Sequence, residues 1–448
     1  MNQEERMQRR EKVAVVGSGT SGLAAAHYLL EKGYSVDLYE KSPTIGGRMG
    51  TLPLSGKMVA FGGKNIGTRA LLFRDFVKKN GNFDFEFFGS SWTREVNGKM
   101  VVYDNSNKMR LWLNFLRLYK ISDLIKFGKL FYSMKNEANW YLDGPYFRKI
   151  SEKFDDKPIS EYFSDSFCDN FLRMLTVRMN GAEPGHYHMG NFCSNLGMVK
   201  VSKNMEQLAG NGMHDLLNAF VERDNLEVRT GITVLTANTE KPGQVDLVIK
   251  SKDKRTESLP YRGVILALTA SHSAKVLNCL NPRIGQELSR IKYNPVGLAI
   301  VKYSRAIFTE EQRSISFDKD KVLSNAGCYG VNDLDIVRYT FSGGAASREI
   351  NAETEPDALI SSAENLLNRY FKVSSQERID YIYKFLDEGL CSYAPYHHRI
   401  MSTAERCLKL YPIELSGDFV GGASMEACFK SSKTAVDKLH KKLSRAVF

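Results

Sequence analysis

A glycine-rich turn between two predicted strands, within residues 12–49, constrains the fold more than any other stretch of this chain. Residues 13–16 form a short apolar run rich in valine, which is typical of a buried parallel strand. The sequence GSGTSG follows at residues 17–22, and residues 23–32 favour a helix that ends at Gly33. Residues 34–40 favour a second strand. This order of elements predicts a βαβ unit that binds a dinucleotide.

The residues of this unit have separate physical roles. Gly17 permits a tight turn, Gly19 lets the backbone approach a pyrophosphate, and Gly22 lets the helix pack closely on the sheet. The N–H groups at the start of the helix face the phosphates. Glu40 ends the second strand, where a carboxylate accepts hydrogen bonds from ribose hydroxyls. The predicted contacts to the dinucleotide in this unit are Gly17, Gly19, Thr20, Ser21, Gly22, Glu40 and Lys41.

Two further glycine motifs indicate which dinucleotide binds. The sequence IGGRM occupies residues 45–49, and FGGKNIG occupies residues 61–67. With the first turn, they resemble the superfamily of flavin-dependent amine oxidases, protoporphyrinogen oxidases and phytoene desaturases, although Ala60 stands where many relatives have aspartate. The resemblance implies FAD rather than NAD, with Arg48 near the phosphates or the flavin ring and Gly62–Gly63 beside that ring. It adds to the predicted cofactor contacts Gly47, Arg48, Gly62, Gly63 and Lys64.

A C-terminal segment resembles the box that closes the FAD site in the same superfamily. Residues 412–418 favour a strand that ends in Gly-Asp, and the sequence GGASMEA at residues 421–427 begins a helix. The resemblance implies that Asp418 hydrogen-bonds the ribityl or pyrophosphate region, that the backbone of Met425 lies near the flavin O2, and that the backbone of Val234 contacts the adenine. The predicted contacts from these segments are Val234, Gly417, Asp418, Ser424 and Met425.

The positions of the motifs at both ends of the chain predict its domain organisation. The expected fold class is α/β, a Rossmann-like FAD-binding domain of the GR2 type with an inserted α+β substrate domain and a helical subdomain. Residues 1–11 are expected to be a mobile arm. The expected segments are 1–68, 209–290 and 401–448 for the FAD-binding domain, 69–208 for the substrate and helical part, and 291–400 for the substrate sheet. Strands of that sheet are predicted over residues 293–303, 327–331, 336–341 and 379–383.

The composition is that of an ordinary globular protein with a basic surface. The chain has 448 residues, enough for two or three domains, and 43% of them are hydrophobic. A formal charge of +11 suits a membrane surface or an acidic substrate, but also a solvated lysine-rich surface; we expect no nucleic-acid partner. Seven cysteines without a CxxC pair, and the lack of a secretory signal or a long apolar stretch, favour reduced thiols in a cytoplasmic protein. His186 and His188 lack a third ligand, so we expect no metal.

Residues 109–134 combine basic and aromatic side chains at helical spacing. One interpretation is that they form a wall of the helical substrate domain. The other is a peripheral membrane contact, because basic residues beside Trp, Phe and Leu suit a membrane interface. The sequence leaves both interpretations open.

The resemblance implies that a small or lipophilic organic substrate gives a hydride to the flavin N5, and that electrons then pass to oxygen or a quinone. The first alternative is an amine or amino-acid oxidase. The second is a non-redox FAD-dependent isomerase or a structural flavoprotein. The amine-oxidase branch has a lysine where the alignment places Val301 and an aromatic residue where Ser424 stands. We therefore expect simple primary amines to be poor substrates.

Three residues are candidates for the substrate side of the flavin. Tyr393 and Tyr396 lie in the sequence SYAPY, which matches an aromatic segment of the superfamily but lacks its tryptophan. Core aromatic residues are the alternative interpretation of both. His397 is a candidate acid or base, and a surface histidine after a turn is its alternative.

Overall fold

The computed structural model describes residues 12–87, 92–96, 99–103, 113, 115–134, 141–201 and 205–445. The predicted arm at residues 1–11 and the first part of the predicted basic helix, residues 109–112, lie outside these ranges. The strands are β1 (Val13–Val16), β2 (Val36–Glu40), β3 (Thr51–Leu54), β4 (Lys57–Ala60), β5 (Ile66–Gly67), β6 (Phe85–Phe87), β7 (Trp92–Val96), β8 (Lys99–Tyr103), β9 (Met205–Leu208), β10 (Leu226–Thr230), β11 (Thr233–Asn238), β12 (Val245–Lys250), β13 (Thr256–Tyr261), β14 (Gly263–Leu266), β15 (Lys292–Tyr303), β16 (Ser314–Ser316), β17 (Leu323–Cys328), β18 (Ile336–Phe341), β19 (Arg378–Tyr393) and β20 (Ile413–Leu415). The helices are α1 (Thr20–Glu31), α2 (Leu71–Asn80), α3 (Ile121–Ser133), α4 (Pro145–Phe154), α5 (Asp165–Phe167), α6 (Arg173–Asn180), α7 (Met189–Val201), α8 (Gly212–Val221), α9 (Ala270–Leu277), α10 (Pro282–Leu288), α11 (Gly344–Glu349), α12 (Pro356–Phe371), α13 (His397–Leu408), α14 (Asp418–Gly421) and α15 (Met425–Arg445).

A parallel sheet in the order β10-β2-β1-β14-β20 forms the predicted Rossmann-like domain. The central strand β1 pairs with β2 on one side and with β14 on the other, and both β1 and β14 are buried throughout. Strands from the start, middle and end of the chain therefore build one domain, and the α/β prediction is confirmed. Ligands of such sheets bind at the carboxyl ends of the strands, where the glycine turn after β1 lies.

A second sheet, in the order β19-β15-β18-β17-β16-β7-β8, is antiparallel except where β16 meets β7. Its two faces have different partners. On one face Val301 and Val337 pack in a core with Leu367 of α12. On the other face Ile300 packs with Phe61, which directly precedes the Gly62–Gly63 pair. The second face is therefore turned toward the cofactor motifs.

Helices α3 to α7 form a layer of their own. Phe127 of α3 packs edge-on against Phe167 and Phe171. The outer side of α3 leaves Ile121 64% exposed and Tyr132 65% exposed. Among the described residues, no helix combines the length and the apolar composition that crossing a bilayer requires.

The division of the chain into domain segments stays a prediction. Two of the predicted strands differ in extent. β19 covers residues 378–393 rather than 379–383, and β17 covers 323–328 rather than 327–331. β19 extends because it pairs with β15 along nearly its whole length, with irregularities in the register. That long-range pairing overrides the weak local strand preference of residues 384–389.

Candidate functional site

The turn after β1 is built by close contacts between backbones. A Cβ atom on Gly22 would lie 1.7 Å from the carbonyl oxygen of Gly17, so only glycine fits where α1 meets the turn. Gly17 itself has a φ of +98°, which a residue with a side chain rarely adopts. A Cβ on Gly19 would meet no protein atom within 4 Å. The packing therefore requires glycine at 17 and 22, and the space beside Gly19 suits a pyrophosphate.

No side chain caps the N-terminus of α1, which begins at Thr20. The Thr20 hydroxyl lies 3.8 Å from the sulfur of Met49, and the Ser21 carbonyl accepts a hydrogen bond of 2.8 Å from Ser432. Ser432, which replaces a glycine common in the superfamily, thus ties α15 to α1. The uncapped helix end suits a phosphate group.

Glu40, the residue predicted to bind the ribose, accepts three hydrogen bonds from its neighbours. One carboxylate oxygen accepts hydrogen bonds from the backbone N–H and the hydroxyl of Ser18, at 3.0 and 2.7 Å, and the other accepts from the N–H of Ser42 at 2.8 Å. Lys41 beside it is exposed. The Glu40 carbonyl accepts from Ile232, two residues before the buried Val234 of β11. Glu40 thereby joins the glycine turn to the segment expected at the adenine.

Arg48 links the two ends of the chain. A turn over Gly47–Met49 positions it, and its Nη1 lies 2.6 Å from Oδ2 of Asp418. The same nitrogen donates to the carbonyl of Gly389 at 3.1 Å, and the guanidinium lies 5.9 Å from the ring centre of Tyr293. Burial opposes the charge of Arg48, but the Asp418 carboxylate outweighs this effect and raises the pKa of Arg48. Arg48 is therefore a fixed cation with 39% of its side chain accessible.

Asp418 has protein partners for both oxygens. Oδ2 binds Arg48, and Oδ1 accepts from the Tyr293 hydroxyl and the Phe419 N–H, each at 3.0 Å. The N–H of Gly417, the preceding residue, donates a hydrogen bond of 3.3 Å to the hydroxyl oxygen of Ser431. With both oxygens engaged by the protein, Asp418 fixes the position of the Arg48 guanidinium, and contact of Arg48 with a phosphate stays a prediction.

The C-terminal box supports two helix ends. The Ser424 hydroxyl accepts from the Ala427 N–H at 3.0 Å and so caps α15, which Met425 begins. The Glu426 carboxylate accepts from the N–H groups of Leu72 and Phe73, at 3.1 and 3.0 Å, and so caps α2. Ser424 is therefore a capping residue at the position where an aromatic wall stands in the amine-oxidase branch.

A second part of the site begins where Gly62 lies directly on the backbone of Arg48. A Cβ on Gly62 would lie 1.5 Å from the Arg48 carbonyl oxygen, whereas a Cβ on Gly63 would meet nothing within 4 Å. The Gly62 carbonyl accepts a hydrogen bond of 2.8 Å from Nη1 of Arg338. Lys64 is buried, with its Nζ 3.2 Å from the amide oxygen of Gln207, and burial lowers its pKa well below the usual range. This end is open beside Gly63, and the cation Arg338 lies next to it.

The face of the antiparallel substrate sheet that lies toward Gly62 is apolar along β15. Ile300 pairs with Arg338 on β18 and with Ile382 on β19, so these three side chains share the face toward Gly62. Val301 lies on the other face, 0% exposed in the α12 core. The prediction that the Val301 position faces the flavin is therefore wrong, because the strand alternation turns it away. Lys302 is not a substitute, since it pairs with Asp335.

The candidates Tyr393, Tyr396 and His397 lie near the Gly417–Phe419 loop and the helical layer. Tyr393 is 1% exposed, and its ring lies 5.3 Å edge-on from that of His397. Both tyrosines have left-handed backbones, with φ of 62° and 51°, which is uncommon for residues with a side chain. These contacts favour a packing role for Tyr393.

His397 and its neighbour are buried, so their interpretation as surface histidines is wrong. Nε2 of His397 donates to the Phe419 carbonyl at 2.6 Å, and burial lowers the pKa of His397 to about 4. His397 is therefore neutral and supports the loop that carries Asp418. His398 lies with Nδ1 3.0 Å from the Ser151 hydroxyl.

The sequence analysis missed Arg338, which donates to the Gly62 carbonyl. The sequence does contain a signal for it, because Arg338 is the one charged residue in the apolar stretch IVRYTF of β18.

The fold and the site define a class, that of dinucleotide-binding α/β proteins with an inserted substrate sheet. The residues fit FAD. Space lies beside Gly19 and beside Gly63, and the uncapped N-terminus of α1 faces the space beside Gly19. The cation Arg48 lies where segments from the start and the end of the chain meet. The family of flavin-containing amine oxidoreductases matches residues 20–439, and the chain belongs to this family. Membership identifies FAD as the cofactor and the chain as an FAD-dependent oxidoreductase.

Among its relatives is bovine (Bos taurus) prenylcysteine oxidase 1, which is 25% identical over 327 residues, or 65% of this chain and 62% of that protein. The chain thus matches less than two thirds of the length of this relative. A cyclohexylamine oxidase from Brevibacterium oxydans has the same fold, with a TM-score of 0.73 at 15% identity over 97% of this chain and all of its own. A putative protoporphyrinogen oxidase from Exiguobacterium has a TM-score of 0.72 at 15% identity over 96% and 99% of the two chains.

Proposed function

We propose that this enzyme dehydrogenates a lipophilic organic substrate and that simple primary amines are poor substrates. When bound, FAD accepts a hydride equivalent at N5. The chain's own contribution is to hold the substrate against the ring in a dry site. The observation that carries the proposal is the position of Arg338, a cation that donates to the Gly62 carbonyl and forms no ion pair within the described residues, beside a face of β15 where Leu298 and Ile300 are apolar and buried.

A primary amine is an ammonium ion near neutral pH, and a buried ammonium needs an anionic partner. The paired rows on this face contain the cations Arg338 and Lys384 instead, with Lys384 Nζ 6.0 Å from the ring centre of Phe61. Ser424 caps a helix and offers no aromatic surface to align an amine. Like charge and poor positioning therefore both act against amine oxidation.

The test is anaerobic reduction of the bound flavin by a panel of compounds. We expect isoprenoid or polycyclic candidates to bleach the flavin, and benzylamines, polyamines and amino acids to react slower by about a hundredfold or more. Fast bleaching by a simple amine would promote the first alternative, an amine oxidase, which the fold of the cyclohexylamine oxidase also accommodates. No bleaching by any compound would favour a non-redox use of FAD. Reoxidation by oxygen compared with a soluble quinone identifies the electron acceptor.

The second element of the proposal is a peripheral membrane contact through α3, in a reducing compartment where the seven free cysteines persist. Half of the large hydrophobic side chains that are exposed in the described residues lie on or just before this helix: Leu113, Leu116, Ile121, Ile125 and Tyr132. Exposed basic residues stand among them: Arg117, Lys120, Lys126 and Lys129. Apolar side chains beside cations suit an anionic lipid surface.

Sedimentation with anionic liposomes tests this contact. We expect binding at low salt that weakens as salt is raised, because the attraction between surface charges is screened. Ile125→Ser combined with Lys129→Gln should reduce binding several-fold. Leu410→Ser is the matched control, since Leu410 is 90% exposed on a different surface. Equal binding by both variants, or no binding at low salt, would leave α3 as a wall of the substrate domain.

A further inference from the structure

The long strand β19 contains a bulge near the cofactor motifs. Leu390 of β19 pairs with Asn294 of β15, and Leu386 pairs with Val296. The two pairs are two residues apart on β15 but four residues apart on β19, so β19 bulges over residues 387–389. A bulge changes the direction of the groups that it contains, and bulges are frequent beside active sites. The groups of this bulge can therefore face elements outside the sheet.

The backbone of the bulge contacts Arg48. The carbonyl of Gly389 accepts a hydrogen bond of 3.1 Å from Nη1 of Arg48, the nitrogen that also donates to Asp418 at 2.6 Å. A Cβ atom on Gly389 would lie 2.3 Å from Cγ1 of Val296, so the backbone of the bulge packs closely on β15. The bulge thus supplies one of the two acceptors that fix the Arg48 guanidinium.

The carboxylate of Glu388, the residue before Gly389, lies at the N-terminus of α9. Its oxygen Oε2 accepts from the Thr269 hydroxyl and lies 3.0 Å from Nδ1 of His272, and its oxygen Oε1 accepts from the Ser271 hydroxyl. The positive end of a helix stabilises a carboxylate in this position. Because α9 follows β14 of the parallel sheet, these contacts join the bulge to the sheet that carries the glycine turn.

The same contacts keep Glu388 ionised. Burial raises the pKa of Glu388, but the hydrogen bonds from His272, Ser271 and Thr269 outweigh burial and lower the pKa to about 2. The carboxylate therefore carries its charge at neutral pH.

A second route connects the start of α9 to the same ion pair. The N–H of Ala270 donates to the Tyr293 hydroxyl at 3.2 Å, and that hydroxyl donates to Oδ1 of Asp418 at 3.0 Å. The start of α9 therefore reaches Asp418 through Tyr293, and it reaches Arg48 through the bulge. Together these contacts form a closed ring around the pair of Arg48 and Asp418.

We propose that Glu388 is a positioning residue for Arg48: its carboxylate holds the bulge against α9, so that the Gly389 carbonyl keeps the guanidinium in place for the cofactor. Glu388 acts through Gly389. Without its charge, the bulge loses the contacts that fix it to α9, and the long arginine side chain is held on one side only. This inference concerns the cofactor and holds for any substrate, so it goes beyond the proposed function.

The rate of FAD release from the holoenzyme tests the proposal without turnover. Release is followed as the rise in flavin fluorescence after dilution. Glu388→Gln removes the charge and keeps the size of the side chain, and we expect release to be about tenfold faster, the scale of a hydrogen bond to a charged group. An unchanged rate would overturn the proposal. Ser271→Ala removes one donor to the carboxylate and should act in the same direction with a smaller factor, and it replaces Glu388→Gln in the test if that variant does not fold.

Glu377→Gln is the matched control. Glu377 directly precedes β19, at the opposite end of the strand from the bulge. Its carboxylate also accepts three hydrogen bonds, two from Arg305 and one from the N–H of Ser374. The two glutamate side chains are similarly exposed, 26% for Glu377 and 28% for Glu388. We expect Glu377→Gln to leave the rate of FAD release unchanged, and an equal acceleration by both variants would assign the effect to general loss of stability and overturn the proposal.

A double-mutant cycle separates positioning of Arg48 from support of the fold. Arg48→Gln alone should also accelerate FAD release. If Glu388 acts through Arg48, adding Glu388→Gln to Arg48→Gln should change the rate by less than about twofold. The same tenfold factor in both backgrounds would mean that Glu388 acts independently of Arg48, and the proposal would fail. If Arg48→Gln retains no FAD, Arg48→Lys takes its place in the cycle, because lysine keeps the charge but lacks the planar guanidinium.

Discussion

Two parts of the cofactor site, called here the Arg48 end and the Gly62 end, meet at the backbone of Arg48 and differ in how their charges are balanced. At the Arg48 end, Asp418 pairs with the guanidinium, and the carboxylate itself receives two further hydrogen bonds. At the Gly62 end, Arg338 forms no ion pair with an acid within the described residues, and Lys64 nearby is buried. At the Arg48 end, protein groups alone balance the charge of the guanidinium. The Gly62 end has an excess of positive charge that a ligand can balance.

The difference suits the Arg48 end to holding the cofactor and the Gly62 end to selecting the substrate. A cation fixed by its own carboxylate keeps its position whether or not a cofactor is bound, and this suits a cofactor that stays through many turnovers. Unpaired cations gain most when an anion arrives, and this suits a group that comes and goes with each substrate. The two ends should therefore respond in opposite directions when a charge is removed.

The largest expected effect is at the Arg48 end. Asp418→Ala leaves Arg48 partly buried without its acid, which costs about 3 kcal/mol of the free energy of unfolding for pairs of this kind. We also expect the variant to lose most of its FAD, measured as flavin released per mole of purified protein. Glu40→Ala should lower FAD retention by less, because the backbone of the turn remains.

Asp437→Ala is the matched control for this experiment. Its carboxylate forms an exposed ion pair with Lys32, 2.9 Å away, and pairs of this kind contribute little. If Asp418→Ala and Glu40→Ala both kept full flavin occupancy, the site would be in the wrong place.

An intermediate effect concerns His397, which supports the same end without a charge. Burial lowers the pKa of His397 to about 4 in the folded chain, below the ordinary value of about 6.5. The neutral form is therefore favoured by folding, and its contribution is complete above pH 6.5 and is lost as the pH falls toward 4. Between pH 7 and pH 5 the loss is about 2 kcal/mol.

Urea unfolding of wild type and His397→Gln at these two pH values measures the effect. Glutamine can still donate to the Phe419 carbonyl, and it does not titrate. From pH 7 to pH 5, we expect a smaller fall in the free energy of unfolding for His397→Gln than for wild type. His186→Gln, at an exposed histidine, should show the same fall as wild type. A fall of equal size in His397→Gln would assign the pH dependence to other groups.

The glycine turn and the end of β2 were the parts of the site that the sequence could predict, and particular residues show why. The turn around Gly22 and the end of β2 at Glu40 are set by local geometry, so short motifs report them. The roles of Ser424 and His397 depend on which backbone groups lie across the fold from them, and no local pattern reports that. Val301 was placed on the wrong face because a strand side chain reverses its direction with each residue.

The smallest expected effect is at the Gly62 end, and its sign is the sharpest test of the comparison. Arg338→Met removes a buried charge that has no acid and replaces it with an apolar side chain of similar length. The loss of the hydrogen bond to Gly62 costs about 1 kcal/mol, and the relief of an unpaired buried charge offsets or exceeds it. We therefore expect the free energy of unfolding, measured in urea without added ligand, to stay within about 1 kcal/mol of wild type or to rise.

Arg173→Met is the matched control, because Arg173 is paired with Glu183. Its loss leaves that acid unpaired, so this variant should be clearly destabilised. Equal destabilisation of both variants would mean that Arg338 has a charge partner in the folded chain, and the contrast between the two ends of the site would fail.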